Sequence, residues 1–135
     1  MAKAWGDAGR LDTSEPDALR LALEPVMRQY PQITSLMVAD DRGREFMLLR
    51  IGEKWINRQT RHDEWGNRCR FLEWREGQRK PAVSWKELPE YDPRRRKWYE
   101  QAVAKAGELN WTEPYTFFTT KDPGITASIT FDAGE

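Results

Sequence analysis

Apolar residues near the start of the chain recur every three or four positions, the spacing of one face of an α-helix. The positions with this spacing are Leu19, Leu23, Val26, Met27 and Tyr30. Ser14 and Pro16 are residue types that begin helices, and Pro31 closes the segment. We expect Pro25 to break or kink this helix, because proline lacks a backbone donor.

Short β-like runs follow, separated by glycine-containing turns. The predicted strands cover 33–39, 46–51, 55–60 and 69–74. The turn at 40–43 makes the first two a hairpin. We expect a loop at 61–67 and, because two prolines fall there, irregular chain at 80–91.

A second helix is predicted over 93–106. Asp92 is an N-cap candidate, Pro93 suits the first helical position and Gly107 suits the position just past the end. The apolar positions sharing one face are Trp98, Tyr99, Ala102, Val103 and Ala106. Two further strands, 111–119 and 125–131, are predicted with a turn between them.

This order of elements predicts an α+β fold, an antiparallel β-sheet flanked by helices with a helix at the N-terminus. We expect residues 1–12 to form a flexible lead-in and 13–135 to form a single domain. The length of 135 residues suits one domain.

Composition excludes some functions. The 22 basic residues balance 22 acidic ones, so no basic excess indicates a nucleic-acid partner. Cys69 and His62 are each the only residue of their type, which leaves no disulfide framework or multi-histidine metal site. No apolar run reaches the ~18 residues of a membrane span. The sequence therefore fits either a cytoplasmic protein or a soluble piece of a membrane protein.

The predicted start of the second helix carries the most suggestive chemistry. Residues 91–99 read Tyr-Asp-Pro-Arg-Arg-Arg-Lys-Trp-Tyr. Such a cluster is either a solvated basic turn or an anion site, because guanidinium groups and free helical N–H groups both favour a carboxylate or phosphate. Tyr115 follows Pro114, which indicates an edge strand or a bulge.

These segments resemble a known family. The string at 91–99, then Trp-Thr-Glu-Pro-Tyr at 111–115 and Asp-Pro-Gly-Ile-Thr-Ala-Ser at 122–128, is similar to the signature of Cache domains (calcium channels and chemotaxis receptors), which are PAS-like. Cache domains are extracytoplasmic sensors of bacterial chemoreceptors, histidine kinases and nucleotide or diguanylate cyclases. The resemblance implies a periplasmic ligand-binding domain of an inner-membrane protein, membrane-tethered in its full-length form, with no enzymatic activity and no cofactor.

The resemblance also implies the site. Members that sense amino acids bind the ligand with residues that correspond to Tyr91, Arg96, Trp98, Tyr99 and Tyr115. The implied ligand is a small anionic or zwitterionic metabolite: an amino acid, organic acid or amine. Lys97 stands where the family usually has proline, and neither Asp122 nor Asp132 occupies the position that binds the ligand amine. We expect the closing strand to be missing, and a homodimer could complete the sheet.

Two other functions stay open. Seven tryptophans could supply the exposed aromatic faces of a carbohydrate-binding module, and a domain whose pocket is filled by its own side chains would be a structural spacer. Core tryptophans favour the sensor, whereas a coplanar exposed row favours the carbohydrate-binding module. The triplet His62-Asp63-Glu64 is typical of a surface loop, so we expect no catalysis there.

Overall fold

The computed structural model describes residues 11–132. They divide into two compact units, Leu11–Pro93 and the described part of the second unit, 94–132. Most of the predicted lead-in and the last three residues of the predicted domain lie outside the described residues. The boundaries of a single domain at 13–135 therefore stay a prediction.

The first unit begins with helix α1, Pro16–Gln29, with Pro16 in its first turn. Leu19, Leu23 and Met27 are its buried residues, which confirms the predicted apolar face. Of the predicted break or kink at Pro25, the break is wrong, since the helix continues through it; the kink stays a prediction. Pro25 is exposed, so water can bind the carbonyl that its missing N–H leaves free, while the buried residues on either side hold the helix on the sheet.

Five strands form one antiparallel sheet in the order β1-β2-β3-β4-β5. Their bounds are β1 Ser35–Ala39, β2 Arg44–Ile51, β3 Lys54–Arg61, β4 Arg68–Arg75 and β5 Ala82–Glu87. The α+β fold with an N-terminal helix and an antiparallel sheet is thus confirmed, as are the first four strands, whose ends all agree within two residues. The turn before β2 has Gly43 at φ 80°, a conformation that glycine adopts without strain.

Two further predictions for this unit are wrong. The segment 80–91, expected to be irregular, contains β5, because pairing with β4 satisfies its backbone although all six side chains are exposed. The expected loop at 61–67 contains a one-turn helix α2, His62–Trp65. The alternation of Val83 and Trp85 with polar residues is too short to predict a strand between two prolines, and the segment 61–67 shows no helical periodicity.

The sheet buries side chains on both faces. One face carries Trp55 and Trp74, whose rings stack with centroids 6.1 Å apart. The Arg28 guanidinium of α1 lies 5.1 Å from the Trp55 ring centroid, and that of Arg20 lies 5.4 Å from the Trp74 ring centroid. The opposite face holds a cluster of buried residues: Met47, Leu49, Ile56, Cys69 and Phe71. Helix α1 therefore covers the tryptophan face, partly through cation–π contacts.

The second unit contains helix α3, Lys97–Ala104, and four two-residue strands. These are β6 Asn110–Trp111, β7 Tyr115–Thr116, β8 Pro123–Gly124 and β9 Ala127–Ser128, which pair as β6 with β9 and β7 with β8. The predicted strands 111–119 and 125–131 are thus much shorter than expected. Pro114 lacks a ladder donor and interrupts the first of them.

The second helix also begins later than predicted. Pro93–Arg95 forms a separate 3-10 turn, and Arg96 becomes the N-cap of α3 with extended backbone, φ −78° and ψ 146°. The predicted cap at Asp92 is therefore wrong. Arginines in the first turn of a helix oppose its dipole. Because α3 begins only at Lys97, the arginines at 94–96 precede its first turn. No helix within residues 11–132 is long and apolar enough to cross a membrane.

Candidate functional site

Arg96 is positioned by the turn that precedes α3. Its carbonyl accepts hydrogen bonds from the N–H groups of Tyr99 and Glu100, which fixes its backbone at the helix start. Its guanidinium lies 5.7 Å from the Tyr115 ring centroid and 5.8 Å from that of Phe118. Two aromatic rings therefore flank the cationic group, and Arg96 is only half-buried.

The guanidinium of Arg96 has little hydrogen bonding of its own. It donates one long bond, 3.3 Å, to the Thr116 carbonyl, and no carboxylate within residues 11–132 forms an ion pair with it. Arg44 differs, since it binds both Asp63 and Glu64. Because a guanidinium has five N–H donors, Arg96 retains most of its capacity to bind an anion.

Tyr115 is fixed by contacts at both ends of its side chain. Its hydroxyl hydrogen-bonds with the Thr126 hydroxyl at 2.7 Å, and its ring meets the Phe117 ring edge-to-face at 5.2 Å between centroids. Phe117 in turn lies directly on Gly124, where any added Cβ would overlap the ring. This packing places the ring of Tyr115 beside Arg96 in a defined orientation.

Trp98 and Tyr99 sit together in the first turn of α3. Their rings are edge-to-face with centroids 5.9 Å apart. Trp98 is 8% exposed and its carbonyl accepts a 2.8 Å hydrogen bond from the Ser128 hydroxyl, whereas Tyr99 is half-buried. Trp98 is thus part of the core of the second unit, and Tyr99 has the more accessible ring.

Tyr91 belongs to the first unit, where it completes a buried polar network. Its hydroxyl donates to Glu45 and accepts a 2.7 Å bond from Arg58. Arg58 also donates a 2.9 Å bond to Glu45 and lies 4.1 Å from the Tyr91 ring centroid. All three residues are 2% exposed. Burial by itself lowers the pKa of Arg58, but the charge interactions with Glu45 and Tyr91 and the hydrogen bond to Glu45 together raise it above its usual value.

The predicted site residues therefore fall into three groups. Arg96 and Tyr115 are in contact, Trp98 and Tyr99 are in contact, and Tyr91 lies in the sheet unit. That Tyr91 touches a ligand stays a prediction; its hydroxyl is occupied by Glu45 and Arg58.

Sequence reasoning missed two residues beside Arg96. Phe118 contacts the guanidinium of Arg96 and also the ammonium of Lys121, which lies 4.5 Å from the ring centroid. Lys121 adopts φ 62°, a conformation that is uncommon for residues other than glycine. The adjacent aromatic pair Phe117-Phe118 is the only signal in the sequence for this contact.

The remaining candidates have structural roles in the described residues. Asp63 and Glu64 of the His62 triplet form ion pairs with Arg44, and the hydrogen bonds that Arg44 donates to Asp63 lower the pKa of that carboxyl. His62 Nε2 lies 2.8 Å from the Tyr91 carbonyl oxygen.

A shallow cavity of about 170 Å³ is lined by Gln101, Ala104, Lys105, Asn110 and Trp111.

Comparisons with known proteins add no assignment. No protein-family model, curated protein or solved structure matches the chain.

Proposed function

We propose that this protein is an extracytoplasmic sensor domain of the Cache type that binds a small anionic or zwitterionic metabolite beside Arg96. The observation that carries the proposal is the surroundings of the Arg96 guanidinium. Two aromatic rings flank it, and no carboxylate of residues 11–132 forms an ion pair with it. A ligand carboxylate can accept two parallel hydrogen bonds from such a group. The aromatic rings exclude water from one side and strengthen that interaction.

The burial of the tryptophans supports the sensor over a carbohydrate-binding module. Trp55, Trp74 and Trp98 are at most 8% exposed, so their rings fill the cores of the two units and cannot stack on a sugar. Trp85 and Trp111 are exposed, at 42% and 63%. They belong to different units, and neither stacks parallel on another exposed ring within residues 11–132.

In this proposal the domain is the input part of a membrane signalling protein, such as a chemoreceptor, histidine kinase or cyclase, and is itself not an enzyme. Ligand binding adds contacts to Arg96 and to the turn before α3. A signal requires that these contacts differ between two conformations, because a ligand shifts an equilibrium only by its differential affinity for the two states.

The test is a ligand screen with a matched pair of arginine variants. Thermal unfolding is measured with amino acids, organic acids and amines, because a ligand that binds only the folded state raises the midpoint; hits are quantified by calorimetry. Arg96→Ala removes the proposed anion ligand, and we expect about tenfold or greater loss of affinity. Arg95→Ala is the control, since Arg95 is the exposed neighbour in sequence.

We expect Arg95→Ala to bind like the parent protein, and both variants to keep the parent circular dichroism spectrum. A screen in which no carboxylate or amine raises the midpoint would overturn the proposal. Equal losses in the two arginine variants would remove Arg96 from the site.

A further inference from the structure

β5 is an edge strand of the sheet, and its residues are more exposed than those of β1, the edge strand on the other side. All six residues of β5 are exposed, including Val83 at 51% and Trp85 at 42%. No strand within residues 11–132 pairs with this edge. An exposed edge strand is a template for pairing with another chain.

The hydrogen-bond pattern shows which backbone groups of β5 point outward. The N–H of Leu88 donates to the Asn67 carbonyl at 2.8 Å, and this pair continues the β4–β5 register. In an antiparallel ladder the hydrogen-bonded pairs alternate, so Lys86, Ser84 and Ala82 bond inward to β4. The N–H and C=O groups of Val83, Trp85 and Glu87 therefore face away from the sheet.

We propose that β5 pairs antiparallel with β5 of a second copy about a two-fold axis through Trp85. In this register Trp85 lies opposite Trp85 of the second copy, and Val83 lies opposite Glu87. It is the one arrangement that uses the outward groups of all three residues on both chains, giving about six backbone hydrogen bonds. A ten-strand sheet would then continue across the two copies.

Neighbouring registers are worse for physical reasons. A register shift of two residues in one direction still pairs outward-facing groups, but it sets Lys86 directly opposite Lys86 of the second copy. Like charges in facing positions destabilise a sheet. The shift in the other direction sets Glu87 opposite Pro81, which has no N–H to donate. Pro81 and Pro89 also bound the paired segment at either end.

The side chains beside the axis suit burial between two copies. The Trp85 ring packs edge-to-face on Trp65, 4.9 Å between centroids, and the Arg68 guanidinium lies 4.8 Å from the Trp85 ring. Each copy therefore brings a preformed aromatic pair with an arginine on it. Tryptophan and arginine are the residue types that contribute most to binding energy at protein interfaces.

The first experiment uses the charge opposite Val83. Sedimentation velocity over a concentration series measures the dimer dissociation constant of the whole chain. Val83→Glu sets a carboxylate opposite Glu87 of the second copy, and we expect about fivefold or greater weakening. Val83→Lys, at the same exposed position, sets an ammonium there, and we expect dimerisation as strong as or stronger than that of the parent chain.

The second experiment tests the register by cross-linking in a Cys69→Ser background. Trp85→Cys places two thiols on the axis at a Cα separation of about 5.5 Å, within disulfide range. Val83→Cys is the matched control, because its two copies lie about 14 Å apart along the strands. We expect a covalent dimer from Trp85→Cys and not from Val83→Cys.

Three outcomes would overturn the inference: a parent chain that stays monomeric at 100-fold increasing concentration, equal effects of the two Val83 charge variants, or equal cross-linking at the two cysteine positions. Because none of these measurements involves Arg96 or a ligand, the result is independent of the sensor proposal.

Discussion

Removing one hydroxyl from the buried network of the sheet tests how that network stabilises the fold. Tyr91→Phe keeps the aromatic ring and its 4.1 Å contact with the Arg58 guanidinium. It deletes only the oxygen that donates to Glu45 and accepts from Arg58. Both partners are charged groups that stay buried, so neither can recover a hydrogen bond from water.

The expected cost follows from these contacts. A hydrogen bond to a charged group contributes about 1.5–3 kcal/mol, and a buried polar group left unpaired costs a similar amount. Since Glu45 and Arg58 still bind each other at 2.9 Å, we expect a net loss of about 2–4 kcal/mol in the free energy of unfolding. With a urea m-value of about 2 kcal/mol/M, the middle of the usual range, the midpoint should fall by about 1–2 M.

Urea denaturation followed by tryptophan fluorescence measures this loss. Tyr30→Phe is the control, because Tyr30 is 41% exposed and should change stability by less than about 0.5 kcal/mol. A double-mutant cycle with Glu45→Gln should show a coupling of about 0.5–3 kcal/mol between the two groups. A Tyr91→Phe change as small as that of the control would refute the reasoning.

Three further predictions concern other parts of the chain. Trp98→Ala should destabilise the protein by about 3–5 kcal/mol in thermal unfolding, because the ring is 8% exposed; a change within about 0.5 kcal/mol would mean that the ring is not part of a core. Pro25→Ala should raise stability to urea by about 1 kcal/mol or more, since it restores a helical hydrogen bond at an exposed position; a loss of stability would contradict this. Glu76→Gln should destabilise at pH 7 by an amount that shrinks as the pH falls below about 4. Hydrogen bonds from the Trp55 indole and then Arg28 lower the pKa of Glu76 in the folded state, so its stabilisation exists above the unfolded pKa and disappears as the carboxylate protonates. A difference that does not depend on pH would argue against that origin.

Local sequence patterns determined the elements whose periodicity matches their burial. Leu19, Leu23 and Met27 face one way on α1 because only that face meets the sheet. The hairpin turn is encoded by Gly43, since glycine adopts the positive φ found there without strain. In each case the physical cause acts over a few residues, so the sequence carries it directly.

Tertiary structure decided which polar groups are neutralised. Arg44, Arg58 and Arg96 are the same residue type, yet the first two meet carboxylates from other strands or from α2 and the third meets aromatic rings. Phe118 reaches Arg96, and Lys121 reaches Phe118, because the chain turns between β7 and β8. The contacts of these three arginines with carboxylates and with Phe118 join residues 13 to 22 positions apart, and no local preference encodes them.

The same distinction holds for β5 and Tyr91. β5 has no buried face, so burial imposes no clear apolar pattern on its sequence. Pairing with the free edge of β4 selects its extended conformation. Tyr91 stands in a motif that indicated a ligand contact, whereas the fold brings its hydroxyl to Glu45 and Arg58, 46 and 33 positions earlier in the chain. The sequence thus determined the local conformations and which chemical groups are available. Only the folded chain decided which of those groups meet, because long-range pairing depends on the packing of the whole sheet.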